Sequence, residues 1–237
     1  MATLAPPRAA DRSFWQKMAL GMALFIVFGF AQFALRGFVD PARAPLHVHA
    51  HGVVMLGWLA LTVAQTWLVD RDNLALHRRL GWLGIGLAAG LVALGSYTGI
   101  HAVMTQRQPP FFAPPYFLAL SQVGLVAFAG LIAAAVATRR RTEWHRRFML
   151  GALILILEPA LGRVLPMPLI MPWGGWLSMA IRLGVVGLVA RHDSRTLGRV
   201  HPATVIVALV VAGAHVAVEV LARVPAWIAL AERLVGG

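Results

Sequence analysis

Runs of about twenty consecutive apolar residues recur along this chain, the length a helix needs to cross a hydrocarbon core of about 30 Å. Only short, arginine-bearing connections separate them. Inside lipid a backbone finds no water to bond, so each run must satisfy its own N–H and C=O groups as a helix. Seven spans are predicted, near 16–36, 48–69, 80–101, 115–138, 147–165, 173–190 and 202–222. The predicted fold is therefore all-α: a polytopic membrane protein with seven transmembrane helices, forming one heptahelical domain over residues 1–237. Composition agrees, since 59% of the side chains are hydrophobic and 13% charged, against about a quarter charged in soluble domains. The run after Lys17 has no small-residue cleavage site, so it reads as a retained helix rather than a signal peptide. Both termini look short, with no soluble domain expected beyond the spans.

The net charge of +12 does not point to nucleic acid, because the arginines sit in loops between spans, where they orient a chain in a bilayer. Fourteen basic residues fall on the amino-terminal side, among them Arg78, Arg79, Arg139, Arg140, Arg141 and Arg147, and six on the other side. That asymmetry predicts a bacterial inner (cytoplasmic) membrane protein with its amino terminus in the cytoplasm and its carboxyl terminus outside. The expected partners are the lipid bilayer and a small molecule or electron-transfer partner, with oligomeric state left open. The absence of cysteine excludes disulfides, thiolate ligands and a cysteine nucleophile.

A short pattern repeats in the loops on the basic side: Leu76-His77-Arg78-Arg79, Trp144-His145-Arg146-Arg147 and Arg199-Val200-His201-Pro202. It predicts one lone helix followed by three helical hairpins of one design, each with a His where its second helix begins.

Ionisable residues at bilayer depth cost ~2.5–3.5 kcal/mol on insertion scales, so they need a partner or a function. Glu158, Arg182 and His215 lie clearly inside predicted spans. Glu158 is ~16 Å from one edge of its span and Arg182 ~14 Å from the opposite edge of the next, taking 1.5 Å of rise per residue. In antiparallel neighbours these depths coincide, which predicts an intramembrane Glu158–Arg182 ion pair, functional or simply neutralising. Pro159 frees the carbonyl of Leu155 and kinks the helix beside the charge. Gln32, Gln65 and Gln122 are expected to hydrogen-bond within the bundle.

Histidines form a second constellation toward the outer face. His47, His49 and His51 open the second span, His101 ends the third, and His215 lies in the seventh with Glu219 one turn away. Facing imidazoles suit axial haem ligation, and imidazoles with a carboxylate suit zinc, copper or iron. Cofactor-binding candidates are thus His51, His101 and His215, and metal candidates His47, His49, His51, His215 and Glu219. The plain alternative is that His47 and His49 are interfacial side chains. His77, His145 and His201 mark a possible second site on the cytoplasmic side, or interfacial anchors.

The stretch His51-Gly52-Val53-Val54-Met55-Leu56-Gly57-Trp58 resembles a helix opening of the ascorbate-type transmembrane cytochromes b, and Leu76-His77-Arg78-Arg79-Leu80-Gly81 is similar to one of their helix starts. The resemblance implies an axial haem b ligand at His51. It covers two helices of seven, and the fourth span, which would supply the opposing ligand, has no His. That role would fall to His101 or His215. The chain as a whole also resembles a family of bacterial seven-helix multi-pass proteins that carry Leu-His-Arg-Arg-Leu-Gly and Arg-x-x-Gly-Arg-Val-His-Pro, a resemblance that implies no activity.

The leading expectation is an integral redox or metal/haem-binding protein with a His-ligated centre in the outer half of the bundle. Two alternatives stand beside it. One is a cofactor-free transporter or receptor for a small solute, with a polar cavity around Glu158, Arg182 and His215. The other is an intramembrane metal-dependent hydrolase with Glu158 or Glu219 as base.

Overall fold

The computed structural model describes residues 9–236 of the chain. These residues form ten α-helices and one 3-10 turn at Pro41–Arg43, with no strand among them. Six helices are long and apolar enough to cross a membrane: α1 (Ala9–Leu35), α2 (Leu46–Asp70), α3 (Leu74–Met104), α4 (Pro114–Ala137), α8 (Gly174–Leu197) and α9 (Pro202–Leu221). Residues 147–165, predicted as one span, belong instead to two helices, α5 (Thr142–Leu155) and α6 (Glu158–Val164). The cause is Pro159, which has no N–H to give to the carbonyl of Leu155 and whose ring crowds the preceding turn. Backbone bonds from Ile156 to Ala152 and from Leu157 to Ile154, both 3.3 Å, close the end of α5 before α6 begins at Glu158.

Two further elements lie outside the predicted spans. A single turn, α7 (Met167–Ile170), joins α6 to α8, and α10 (Pro225–Gly236) follows α9. Twelve residues cannot span a bilayer, which is why hydropathy alone missed α10. Its buried Ala231 packs with Val103 of α3 and Leu118 of α4, and Trp227 donates from Nε1 to the carbonyl of Pro115 at 3.0 Å.

Helices joined by the connections 71–73, 138–141 and 198–201 pack directly on one another, giving the hairpins α2/α3, α4/α5 and α8/α9 that the loop pattern predicted. These connections and the start of α1 define a near end. The connections at 36–45, 105–113, 165–173 and 222–224 define a far end. Asn73 caps α3 by accepting from Leu76 N at 3.2 Å, and Gly198 ends α8 in the left-handed conformation, φ 71°, that favours glycine.

The centre of the bundle is α5, which touches α1, α4, α8 and α9 and buries every residue from Leu150 to Leu155. Gly151 permits this closeness, because a Cβ there would stand 2.6 Å from Val207 Cγ2 and 3.2 Å from Leu131 Cδ1. The α2/α3 hairpin is peripheral, resting on α1 and α4. All three glutamines bond inside the bundle as expected: Gln32 donates to Arg163 O at 2.9 Å, Gln65 to His77 O at 3.0 Å, and Gln122 accepts from Ser96 at 2.7 Å.

Candidate functional site

In the far half of the bundle, four elements bring polar side chains together. Glu158 stands where the helix breaks between α5 and α6. Ser178 and Arg182, one turn apart, come from α8, and His215, Glu219 and Arg223, successive turns of one face, come from α9. Tyr116 completes the group from the first turn of α4. Arg182 Nη2 lies 3.9 Å from Glu158 Oε2, so the predicted partners do meet, as charges at the limit of a salt bridge rather than as a hydrogen bond. Tyr116 donates to Glu219 Oε1 at 3.2 Å, and Arg223 Nη2 donates to Glu219 Oε2 at 2.8 Å. His215 Nε2 is 3.8 Å from Glu219 Oε1.

Glycine shapes the wall of this group. A Cβ on Gly175 would fall 2.6 Å from the Tyr116 hydroxyl and 2.8 Å from His215 Cε1, and one on Gly174 2.6 Å from Met167 Sδ. The start of α8 therefore lies directly against Tyr116 and His215 because its first two residues carry no side chains. Trp176 covers the imidazole edge-on, with ring centroids 4.6 Å apart.

Ser178, His215 and Arg182 are 0%, 3% and 5% exposed, and Glu219 is 9% exposed. Three buried atoms in the group have no hydrogen-bond partner: Glu158 Oε2, Ser178 Oγ and His215 Nε2. Arg182 has five N–H donors, yet it makes one long hydrogen bond, Nε to Ser178 O at 3.4 Å. Buried polar groups are ordinarily satisfied, and each exception calls for an explanation. Here three such atoms fall beside one buried arginine. The exposed Arg223 links the group to the far-end surface, its side chain 72% accessible.

The remaining predicted residues are distributed differently. His47 meets His101 at 4.7 Å between ring centroids, with Tyr97 beside both. His51 stands on the same helix against Gly95, its Cε1 3.4 Å from where a Cβ would be, and its ring makes no contact with His101 or His215. The ring contacts do not include His51 with His101 or His215, and α4 lies between α3 and α9. His49 is exposed. Among the described residues no group of three or more His, Asp or Glu is arranged to hold a metal ion.

At the near end His77 and His145 approach to 6.4 Å between centroids, while His201 lies beyond Trp144, 5.2 Å from its ring. Two of the three have a local task, while His77 Nδ1 is buried without a partner. His145 Nδ1 bonds Ala135 O at 2.8 Å. His201 caps α9, its Nδ1 accepting from Ala203 N at 3.1 Å, and its pKa is lowered by burial and by the positive charge of Arg147.

Sequence reasoning missed a buried near-end network altogether. Arg147 reaches Asp193 through Nε, at 3.1 and 3.2 Å to the two carboxylate oxygens, and through Nη2. Asp193 also accepts from Thr204 Oγ1 at 2.5 Å and from His201 N at 3.1 Å. Glu143 pairs with Arg147 from one turn earlier on α5, and Trp15 of α1 lies 5.2 Å from the guanidinium. In the far group the missed residues are Tyr116, Ser178 and Arg223. Ser178 and Arg223 were findable as the four-residue neighbours of Arg182 and Glu219; Tyr116 carried no such signal. No family model, curated protein or solved structure matches this chain.

Proposed function

We propose that this chain is a seven-span protein of a bacterial cytoplasmic membrane that binds a small polar solute at the Glu158–Arg182–His215 group, as a carrier or receptor without a resident cofactor. The fifth span is the broken pair α5 and α6, whose residues 142–164 reach ~34 Å at helical rise. The arginine-rich near end faces the cytoplasm and the far end the outside, on the loop asymmetry.

One observation carries the reading: a buried guanidinium with a single long hydrogen bond, ringed by three unpartnered polar atoms contributed by α6, α8 and α9. A buried donor or acceptor left unmade costs ~1–3 kcal/mol, and a solute that supplies the missing partners recovers it. The helix break beside Glu158 fits the same use, since binding sites near the bilayer midplane are commonly built where a spanning helix is interrupted. A redox or metal centre draws less support, because its candidate imidazoles occupy separate places.

The test is thermal stability of purified protein across a set of small solutes, with absorbance recorded beforehand. Stabilisation by a solute, lost in Arg182→Ala, supports the reading. A Soret band or stoichiometric metal would replace it with the redox centre.

A further inference from the structure

The charges around Arg182 set the chemical class of what this site can take, resting on the reading above that a solute binds there. The groups facing His215 from the packed elements are Tyr116 on α4, Glu158 at the α5/α6 break, Arg182 on α8, and Glu219 and Arg223 on α9. With tyrosine and imidazole neutral, the two arginines and two glutamates sum to zero. Arg182 has free donors in a planar fork that matches a carboxylate or similar oxyanion with two parallel bonds. Glu158 does not fill that fork, standing 3.9 Å from one nitrogen. An anion entering it would leave one uncompensated negative charge in a region of low dielectric, which is costly unless a positive charge enters too.

A place for that charge already exists. His215 Nε2 is buried, unpartnered and 3.8 Å from Glu219 Oε1. A proton added there turns the nitrogen into a donor facing a carboxylate. We infer that the site takes up a small planar oxyanion together with one proton, the anion on Arg182 and the proton on His215 Nε2. The balance is simple: A⁻ and H⁺ enter from the same solution, no bond of the anion breaks, and the site remains neutral. Ser178 Oγ, one turn from Arg182 and also unpartnered, supplies a further hydroxyl donor.

Linkage makes this measurable. If one proton accompanies each anion, affinity falls about tenfold per pH unit above the histidine's own titration. The probes are acetate, lactate and nitrate, which do not titrate from about pH 7 to about pH 9, with glycerol as the neutral and methylammonium as the cationic control. Binding to the purified full-length protein is measured by calorimetry in buffers of different ionisation heat. The expected result is anion binding with about one proton taken up, a tenfold weakening per pH unit, a flat profile in His215→Gln, and no anion binding in Arg182→Gln. The wild-type slope decides even if a variant fails to fold. Anion binding with no proton uptake, or a slope that persists in His215→Gln, overturns the inference while leaving the solute site standing. So does binding of glycerol or methylammonium that Arg182→Gln abolishes. If no probe binds, the solute reading falls, and the inference with it.

Discussion

Removing the Asp193 carboxylate is the most direct test of what holds the near end together. Both side chains of the Arg147–Asp193 pair are 0% exposed. Asp193→Ala leaves the guanidinium buried without its main partner, a change that costs ~3–5 kcal/mol for buried pairs. Glu143 stays in contact with Arg147 and holds the loss to the lower part of that range. Thr204 Oγ1 and His201 N also lose their acceptor, each adding about 1 kcal/mol. The sum is about 5–6 kcal/mol, and with ~2–4 °C of melting temperature per kcal/mol at this chain length it corresponds to a fall of ~10–24 °C. Melting in detergent, followed by tryptophan fluorescence, reads it. Asp193→Asn keeps an oxygen for Thr204 and falls between. Arg147→Met combined with Asp193→Leu replaces the pair by apolar bulk and should recover more than half of the loss. An Asp193→Ala protein that melts within about 2 °C of wild type, or a double variant worse than the single, would refute the account of the clamp.

Gly175→Ala pushes a methyl group into the Tyr116 hydroxyl and His215 and should cost ~1–3 kcal/mol; Gly184→Ala, with nothing within 4 Å, should be neutral or stabilising by up to ~1 kcal/mol, both read as melting temperatures. His201 titrates below its ordinary 6.5, so the unfolded chain takes the proton first; the stability given by the neutral ring is complete above about pH 6.5 and is lost as pH falls through the folded value. Protonation also removes the Nδ1 lone pair that caps α9, so wild type should lose more melting temperature than His201→Asn on acidification, and equal losses would count against it. For orientation, a cysteine placed at Arg140 should react with an impermeant maleimide only in opened cells, and one at Arg107 in intact cells; the reverse pattern would invert the topology.

Hydropathy made the six long helices legible because lipid forces each long apolar run into one element, and Pro159 signalled a kink because a missing N–H acts locally, though not that 147–165 would divide into two helices. The Glu158–Arg182 encounter was readable from depth alone, since adjacent antiparallel helices share a depth scale. Histidine convergence was not, because it depends on which helices are neighbours: α4 separates His101 on α3 from His215 on α9, and no sequence spacing records that order. Arg147 was read as a loop charge because its helix was expected to begin at the membrane edge, and Asp193 lay beyond the predicted end of its span at residue 190. Instead α5 begins at Thr142 and α8 continues to Leu197, so both residues lie between packed helices, where the carboxylate and guanidinium neutralise one another.

The buried polar side chains among the described residues are Arg147, Ser178, Arg182, Asp193, Thr204, His215 and Glu219, and all belong to α5, α8 and α9. The α2/α3 hairpin and α1 contribute none, although α2 and α3 hold five of the nine histidines. Along α8 the two charged groups, at Arg182 and Asp193, are separated by about eleven residues, or ~16 Å. What lies between is apolar: Leu150 and Ile154 from α5, Val186 and Val189 from α8, Val207 and Val211 from α9. On the proposed reading, a polar solute bound at Arg182 would meet the accessible Arg223 on one side and a greasy plug backed by the Arg147–Asp193 clamp on the other. Exchange is expected with the far side alone in this conformation, and release to the near side requires the clamp to open and α8 to part from α5 and α9. Uptake into vesicles should then fall in variants that lock the clamp region, while Arg182-dependent binding persists. Substitutions on the lipid-facing surface of α2 and α3 should change neither. If those surface substitutions abolished binding as Arg182→Gln does, the placement of the chemistry away from the α2/α3 hairpin would be wrong.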